Sequence, residues 1–387
     1  MKQWSYINTS VQLLGAYDGG QPFASYLRKF FSENKKYGSR DRKQIAHLCY
    51  CYFRLGRAGL DLYMEDRILL ALFLCSQQPH DVLEKLRPDW NEKTMLPPHE
   101  KLNMAGAGFP LSDIMPWEEQ LSRGIDRQKM DSSFLVQPNL FIRVRPGKEL
   151  TVAGKLHQAG ISFHEFSPSC IILPPNSNLE EVLKINEEAI VQDFNSQRTG
   201  EFFPTIRHEP KETVWDCCAA SGGKSIMLYD RYPHTDLWVS DIRESILANL
   251  RQRFKEAGIR SYRSFIADLA DNPPSPDLPP VDLIIADVPC TGSGTWSRTP
   301  EQLFYFNEEK IAAYAQLQQK IVSTVTTRLK PGGHLLYITC SIFREENEAC
   351  IDFMQEQVQL RLLKKELLTG YDHRADTLFA ALLQKPS

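Results

Sequence analysis

The stretch VWDCCAASGGKS, residues 214–225, runs an apolar, strand-like opening into a tight turn of small residues. Ala219, Ala220, Gly222 and Gly223 lack the side chains that would keep a ligand away from the backbone. In an open α/β sheet, ligands sit beyond the carboxyl ends of the strands, where this turn falls. The spacing is neither GxGxxG nor the GxxxxGK of a triphosphate-binding loop. Working outward, Thr213 to Cys217, Asp236 to Ser240, Ser264 to Ala267, Val281 to Asp287 and His334 to Thr339 all read as strands. Helix-like runs separate them. One of these, Lys310 to Arg328, carries apolar residues at helical spacing and is stopped by Lys330-Pro331-Gly332-Gly333. Such alternation predicts an α/β fold, a parallel sheet with helices on both faces.

Successive strands deliver acids to one edge. The second ends at Asp241, 19 residues after Gly222, where a carboxylate can accept both hydroxyls of a ribose. Asp268 closes the third and Asp287 the fourth. A lone Asp after a strand is ordinarily a cap for the next helix, but a small-residue turn followed by these acids points to a nucleoside cofactor. Without the dinucleotide fingerprint, S-adenosylmethionine is expected rather than a nicotinamide.

Two thiols reach the same edge, Cys290 in Asp287-Val288-Pro289-Cys290 and Cys340 after the fifth strand. Buried cysteine usually serves as a small hydrophobe, the reading for Cys49, Cys51 and Cys75. A thiol at a ligand edge has another use. Carbon 5 of a pyrimidine is a poor nucleophile toward a sulfonium methyl until a thiolate adds at carbon 6. A second group must then remove the carbon 5 proton so that the thiol can leave. Asp287 is expected to bond the ring's N3 and amino group.

The rest of the chain sets the context. Its 387 residues suit two or three folding units. No run approaches the roughly 18 apolar residues of a membrane span, and MKQWSYINTS lacks the form of a secretory signal, so no membrane partner and a cytoplasmic location are expected. Nine cysteines at irregular positions, without a CxxC pair, predict free thiols and no metal. Net charge is only −3, but Arg28 to Lys43 holds seven basic residues against Glu33 and Asp41, suited either to phosphate contact or to a solvated face. Ile45, Leu48, Cys49, Tyr52 and Phe53 recur on one helical face. Helices are predicted to continue to about Met130. Phe134 to Val144 and Ser169 to Leu173, flanking a helix-like Glu149 to Ala159, predict a small α+β module.

CAASGGK at 218–224, Asp241, Asp268, Asp287-Val288-Pro289-Cys290 and Thr339-Cys340-Ser341 together resemble, in order, the Sun-type family of RNA cytosine-C5 methyltransferases. That resemblance implies a Rossmann-like class I methyltransferase with a mostly parallel seven-stranded sheet over 191–387, preceded by an RNA-binding α+β module at 134–190. It implies S-adenosylmethionine contacts at Cys218, Ala219, Ala220, Ser221, Gly222, Gly223, Lys224, Asp241, Asp268 and Asp287. It further implies attack on the base by Cys340, release assisted by Cys290, and a base pocket lined by Lys224 and Asp287. Gln192-Asp193 with Ser196-Gln197, Arg298-Thr299-Pro300 and DTLFAALLQK at 376–385 resemble the family's flanking segments. Ser39-Arg40-Asp41-Arg42 and the helix after it resemble the NusB-like domain of bacterial small-subunit ribosomal RNA members, placed here at 1–130. One departure is Ser221, where the family usually has proline.

The substrate so implied is RNA, 16S ribosomal RNA by layout, with its cytosine single-stranded or flipped into the pocket and Trp296 or Tyr305 available to stack on it. A transfer RNA methyltransferase and a non-catalytic ribosome-assembly factor of the same fold are the alternatives. DNA cytosine-C5 enzymes resemble this chain in their Pro-Cys but use that single cysteine as nucleophile; a second cysteine after the fifth strand selects RNA.

Overall fold

A computed structural model describes residues 2–207 and 211–387, which form two compact units. The first comprises the chain up to Glu119, Ile125–Gln137 and Thr295–Glu308. Its centre is the helix Ser39–Arg54, where the Asp41 carboxylate accepts from the Gly38 N–H and Ile45, Leu48, Cys49, Tyr52 and Phe53 are buried, as their spacing predicted. The apolar helix Met64–Cys75 packs beside it. Arg54, 3% exposed, donates through Nη1 to the carbonyls of Phe134, Val136 and Ser297, tying three separate stretches of chain together.

The second unit comprises Gln120–Gly124, Pro138–Gly294 and Glu309–Ser387. It opens with a small antiparallel sheet of β1 (Leu140–Val144), β2 (His164–Ser167), β3 (Cys170–Leu173) and β4 (Ala189–Val191), ordered β2-β3-β1-β4. The helix Glu149–Gln158 closes its core of Ile142, Val144, Val152, Leu156, Ile171 and Leu173. The strand expected from Phe134 begins only after Pro138, because Arg127–Phe134 is a helix.

The large sheet holds β5 (Thr213–Asp216), β6 (Asp236–Asp241), β7 (Tyr262–Ile266), β8 (Val281–Asp287), β9 (Leu329–Thr339), β10 (Arg361–Leu368) and β11 (Leu378–Gln384), ordered β10-β11-β9-β8-β5-β6-β7. The pairings from β9 through β8 and β5 to β7 are parallel, while β11 runs antiparallel to both its neighbours. This is the expected α/β, Rossmann-like architecture, with an apolar core on each face of the sheet. Lys330-Pro331-Gly332-Gly333 does not precede β9 but lies within it. The register against β8 shifts between Val281 and Leu283, and Gly332 takes φ 74°, so the extra residues bulge there. Among the described residues, no helix is long and apolar enough to cross a membrane.

Candidate active site

The turn after β5 is fastened to β6. Trp215 donates from Nε1 to Ser240 Oγ at 3.1 Å, Ser240 donates to the Cys217 carbonyl at 2.9 Å, and the Ala219 N–H donates to the Ser240 carbonyl at 2.9 Å. Ala220 sits at φ 45°, a left-handed conformation that costs an alanine about 1 kcal/mol. Its N–H donates to Asp241 Oδ2 at 3.1 Å. Gly222, at φ 82°, is required: a Cβ there would lie 2.7 Å from a Phe254 ring carbon. Ser221, where proline would stiffen the turn, is instead held by Arg253, whose Nη1 donates to its carbonyl at 2.8 Å and its hydroxyl at 2.6 Å.

Asp241 is 6% exposed and also accepts from the Arg243 N–H at 3.0 Å. Asp268 accepts from the Ala270 N–H at 3.2 Å, a side-chain turn in the loop after β7, and also lines the cavity. At the head of the helix Gly223–Arg231, Lys224 places Nζ 2.5 Å from Asp287 Oδ2. Burial disfavours the ammonium, but the adjacent Asp287 outweighs it and raises the Lys224 pKa. Beneath lies Asp216, 1% exposed and bonded to Ser225 Oγ at 2.5 Å. Burial pushes its carboxyl up to about 7.

The thiols converge because β8 and β9 are parallel neighbours, with Asp287 beside Ile338. The Gly294 N–H donates to the Cys340 carbonyl at 2.8 Å, closing the Cys290 loop over the end of β9. Cys290 Sγ and Cys340 Sγ lie 3.2 Å apart, against the roughly 2.05 Å of a disulfide. Both are free, as are the other seven cysteines. The contact with Cys340 and burial both raise the Cys290 pKa.

A cavity of about 470 Å³ opens where these elements meet. Its lining includes Cys218, Ala220, Asp241, Asp268, Asp287, Cys290 and Cys340. Ile242, 56% exposed, and Leu269 add apolar surface. Ala219, Ser221, Gly222, Gly223 and Lys224 lie outside the lining and shape it from behind, through the turn and the ion pair. Of the two rings expected to be available for stacking, Trp296 is buried and therefore unavailable. Trp296 is 1% exposed, enclosed by Trp117 and Phe306, and Tyr305 donates its hydroxyl to the Tyr17 carbonyl at 2.6 Å. Both rings pack within the helical unit. Sequence reasoning missed Tyr314, whose position on one face of Glu309–Val325 was legible but whose access to the cavity was not. It also missed Asp216 and Glu346, acids buried against hydroxyl-bearing partners. Among the described residues, no group of three or more His, Cys, Asp or Glu side chains could hold a metal ion.

Residues 204–379 match the family described as 16S rRNA methyltransferase RsmB/F. Ribosomal RNA small subunit methyltransferase B of Xanthomonas campestris pv. campestris is 31% identical over 210 residues, 51% of this chain and 47% of that one. The chain spans about half the length of the curated relatives it matches. In fold it is similar to the crystal structure of PH0851, with TM-score 0.70 and 22% identity over 99% of this chain and 98% of that one. It is also similar to NSun6 from Pyrococcus horikoshii with SFG, at TM-score 0.54 and 18% identity over 65% and 92%.

Proposed function

Because residues 204–379 match the family described as 16S rRNA methyltransferase RsmB/F, we propose that the chain transfers a methyl group from S-adenosylmethionine to carbon 5 of a cytosine in 16S ribosomal RNA. The observation that carries this reading is the pair of free thiols, 3.2 Å apart, lining the same cavity as Asp241, Asp268 and Asp287.

The cavity fits a nucleoside-sized cofactor. A left-handed Ala220 leaves backbone at its wall, the buried Asp241 carboxylate suits a ribose, and Ile242 and Leu269 offer apolar cover to a base. The family match and the relatives named for ribosomal RNA methylation support the same choice. Cys218, Ala220, Asp241, Asp268 and Asp287 would hold it. Bound there, S-adenosylmethionine supplies an electrophilic methyl group.

On the substrate side, the Cys340 sulfur adds to carbon 6, and the electron pair of the 5,6 double bond moves toward carbon 5 and the ring. Asp287 accepts from the cytosine amino group, and the Lys224 ammonium stabilises the charge that builds on the ring. After methylation, loss of the carbon 5 proton restores the double bond and expels Cys340 as thiolate. Cys290 is assigned to this release, accepting the carbon 5 proton as its thiolate. The two sulfurs lie 3.2 Å apart, so Cys290 is within reach of a base bonded to Cys340. The target base reaches them only from a single strand or flipped out of a stack.

The test uses the full chain, unmodified 16S ribosomal RNA transcript and S-adenosylmethionine. Cys290→Ala should accumulate a protein–RNA adduct stable in denaturing gels, whereas Cys340→Ala should form none, and both should lose turnover. The opposite pattern, or full turnover by Cys340→Ser, overturns the assignment.

A further inference from the structure

Five residues past Ser341 lies Glu346, with no exposed surface. A buried charge must be matched by hydrogen bonds, and here both oxygens are supplied. Oε1 accepts from the Thr291 N–H at 2.8 Å and Gln318 Nε2 at 3.1 Å. Oε2 accepts from the Thr291 hydroxyl at 2.6 Å and from the Ser341 hydroxyl. Thr291 directly follows Cys290, and Ser341 directly follows Cys340. The carboxylate thus joins the two loops at the residues next to the two sulfurs. Its own placement is fixed as well: Tyr337, buried in β9, donates its hydroxyl to the Glu346 carbonyl at 2.7 Å, and Gln318 also donates to the Pro289 carbonyl at 3.0 Å.

We propose that Glu346 is a positioning residue for both thiols: by tying Thr291 to Ser341 it keeps the Cys290 and Cys340 sulfurs adjacent and unbonded, so that one attacks while the other stays within reach for release. The proposal rests on the roles assigned to the two cysteines above. Burial raises the Glu346 pKa, and the hydrogen bonds from Ser341, Thr291 and Gln318 oppose that rise. Four donors around two oxygens suit the anion. That anion contributes to the raised Cys290 pKa, behind the Cys340 contact and burial. Glu346 therefore acts on the pair through geometry and through charge.

The two effects separate by substitution. Glu346→Gln keeps the volume, and the Thr291 and Ser341 hydroxyls can turn to accept from the new amide, so the tether survives while the charge is lost. Glu346→Ala removes both. The first readout needs no RNA: alkylation of Cys290 and Cys340 by iodoacetamide, followed by mass spectrometry from about pH 6 to 10 on the full chain. The Cys290 profile should move to lower pH in Glu346→Gln. The second is turnover on 16S transcript, where Glu346→Ala should lose roughly 100-fold in kcat, the scale of a 1 Å misplacement, with KM for S-adenosylmethionine nearly unchanged and partial recovery in Glu346→Gln. Thiol profiles that match wild type in both variants overturn the proposal, and Glu346→Gln carries that test should Glu346→Ala fail to fold. A wild-type chain that methylates no RNA but whose Cys290 profile moves on substitution overturns the functional reading and leaves the placement of the thiols supported.

Discussion

At the scale of single residues, the site is governed by carboxylates whose surroundings differ. Asp287 meets an ammonium and Asp241 meets backbone N–H groups, whereas Asp216 is enclosed with Oδ1 lacking a hydrogen-bond partner among the described residues. Its carboxyl is pushed up to about 7 from 3.8, so between those values the folded chain binds a proton more tightly than the unfolded one. Stability from this group is complete below the lower value and is lost as pH rises to the upper one. At about 1.36 kcal/mol per pH unit the loss is on the order of 4 kcal/mol. We expect Asp216→Asn to flatten the stability profile and to be the more stable protein at about pH 8, measured by urea unfolding at about pH 5, 6.5 and 8. Parallel profiles would refute the attribution. Asp241, Asp268 and Asp287 were legible from their positions; the role of Asp216, although it ends β5, was not, because its environment is made by Ser225 and by neighbouring strands.

At the scale of elements, the turn after β5 depends on one position more than on its overall glycine content. Gly222→Ala combines a left-handed φ with a Cβ 2.7 Å from Phe254, and should cost on the order of 3 kcal/mol in chemical denaturation, with weaker S-adenosylmethionine binding by calorimetry. At Gly223 an added Cβ meets nothing within 4 Å, so Gly223→Ala should be nearly neutral. Equal losses at the two positions would reject this account. The strands β5, β6, β8 and β9 were readable because burial inside the sheet leaves near-continuous apolar runs, whereas β7, at the other edge, has no fully buried residue. β10 was not read: Arg361–Leu368 lies at the sheet edge, its Lys364, Lys365 and Glu366 hide its pattern, and its strand form comes from pairing with β11.

At the scale of the whole molecule, Thr295–Glu308 belongs with the helices although the chain enters and leaves it from the sheet-bearing unit. Arg54 shows how. Its guanidinium bonds the Ser297 carbonyl as well as those of Phe134 and Val136, and Trp296 and Phe306 pack around Trp117. Arg54→Ala leaves these carbonyls unmatched and should destabilise the unit by about 3–5 kcal/mol, with early proteolytic cleavage within 125–137 and 295–308 by mass spectrometry; an unchanged cleavage pattern would count against it. The amino-acid order alone determined the α/β class, the acids on one edge and the two thiols at strand ends, because burial periodicity and strand-end chemistry are local properties. Only the tertiary structure decided that the sulfurs touch, that Glu346 joins their loops and that Trp296 is packing, because each depends on residues distant in the chain being brought to within a few ångströms.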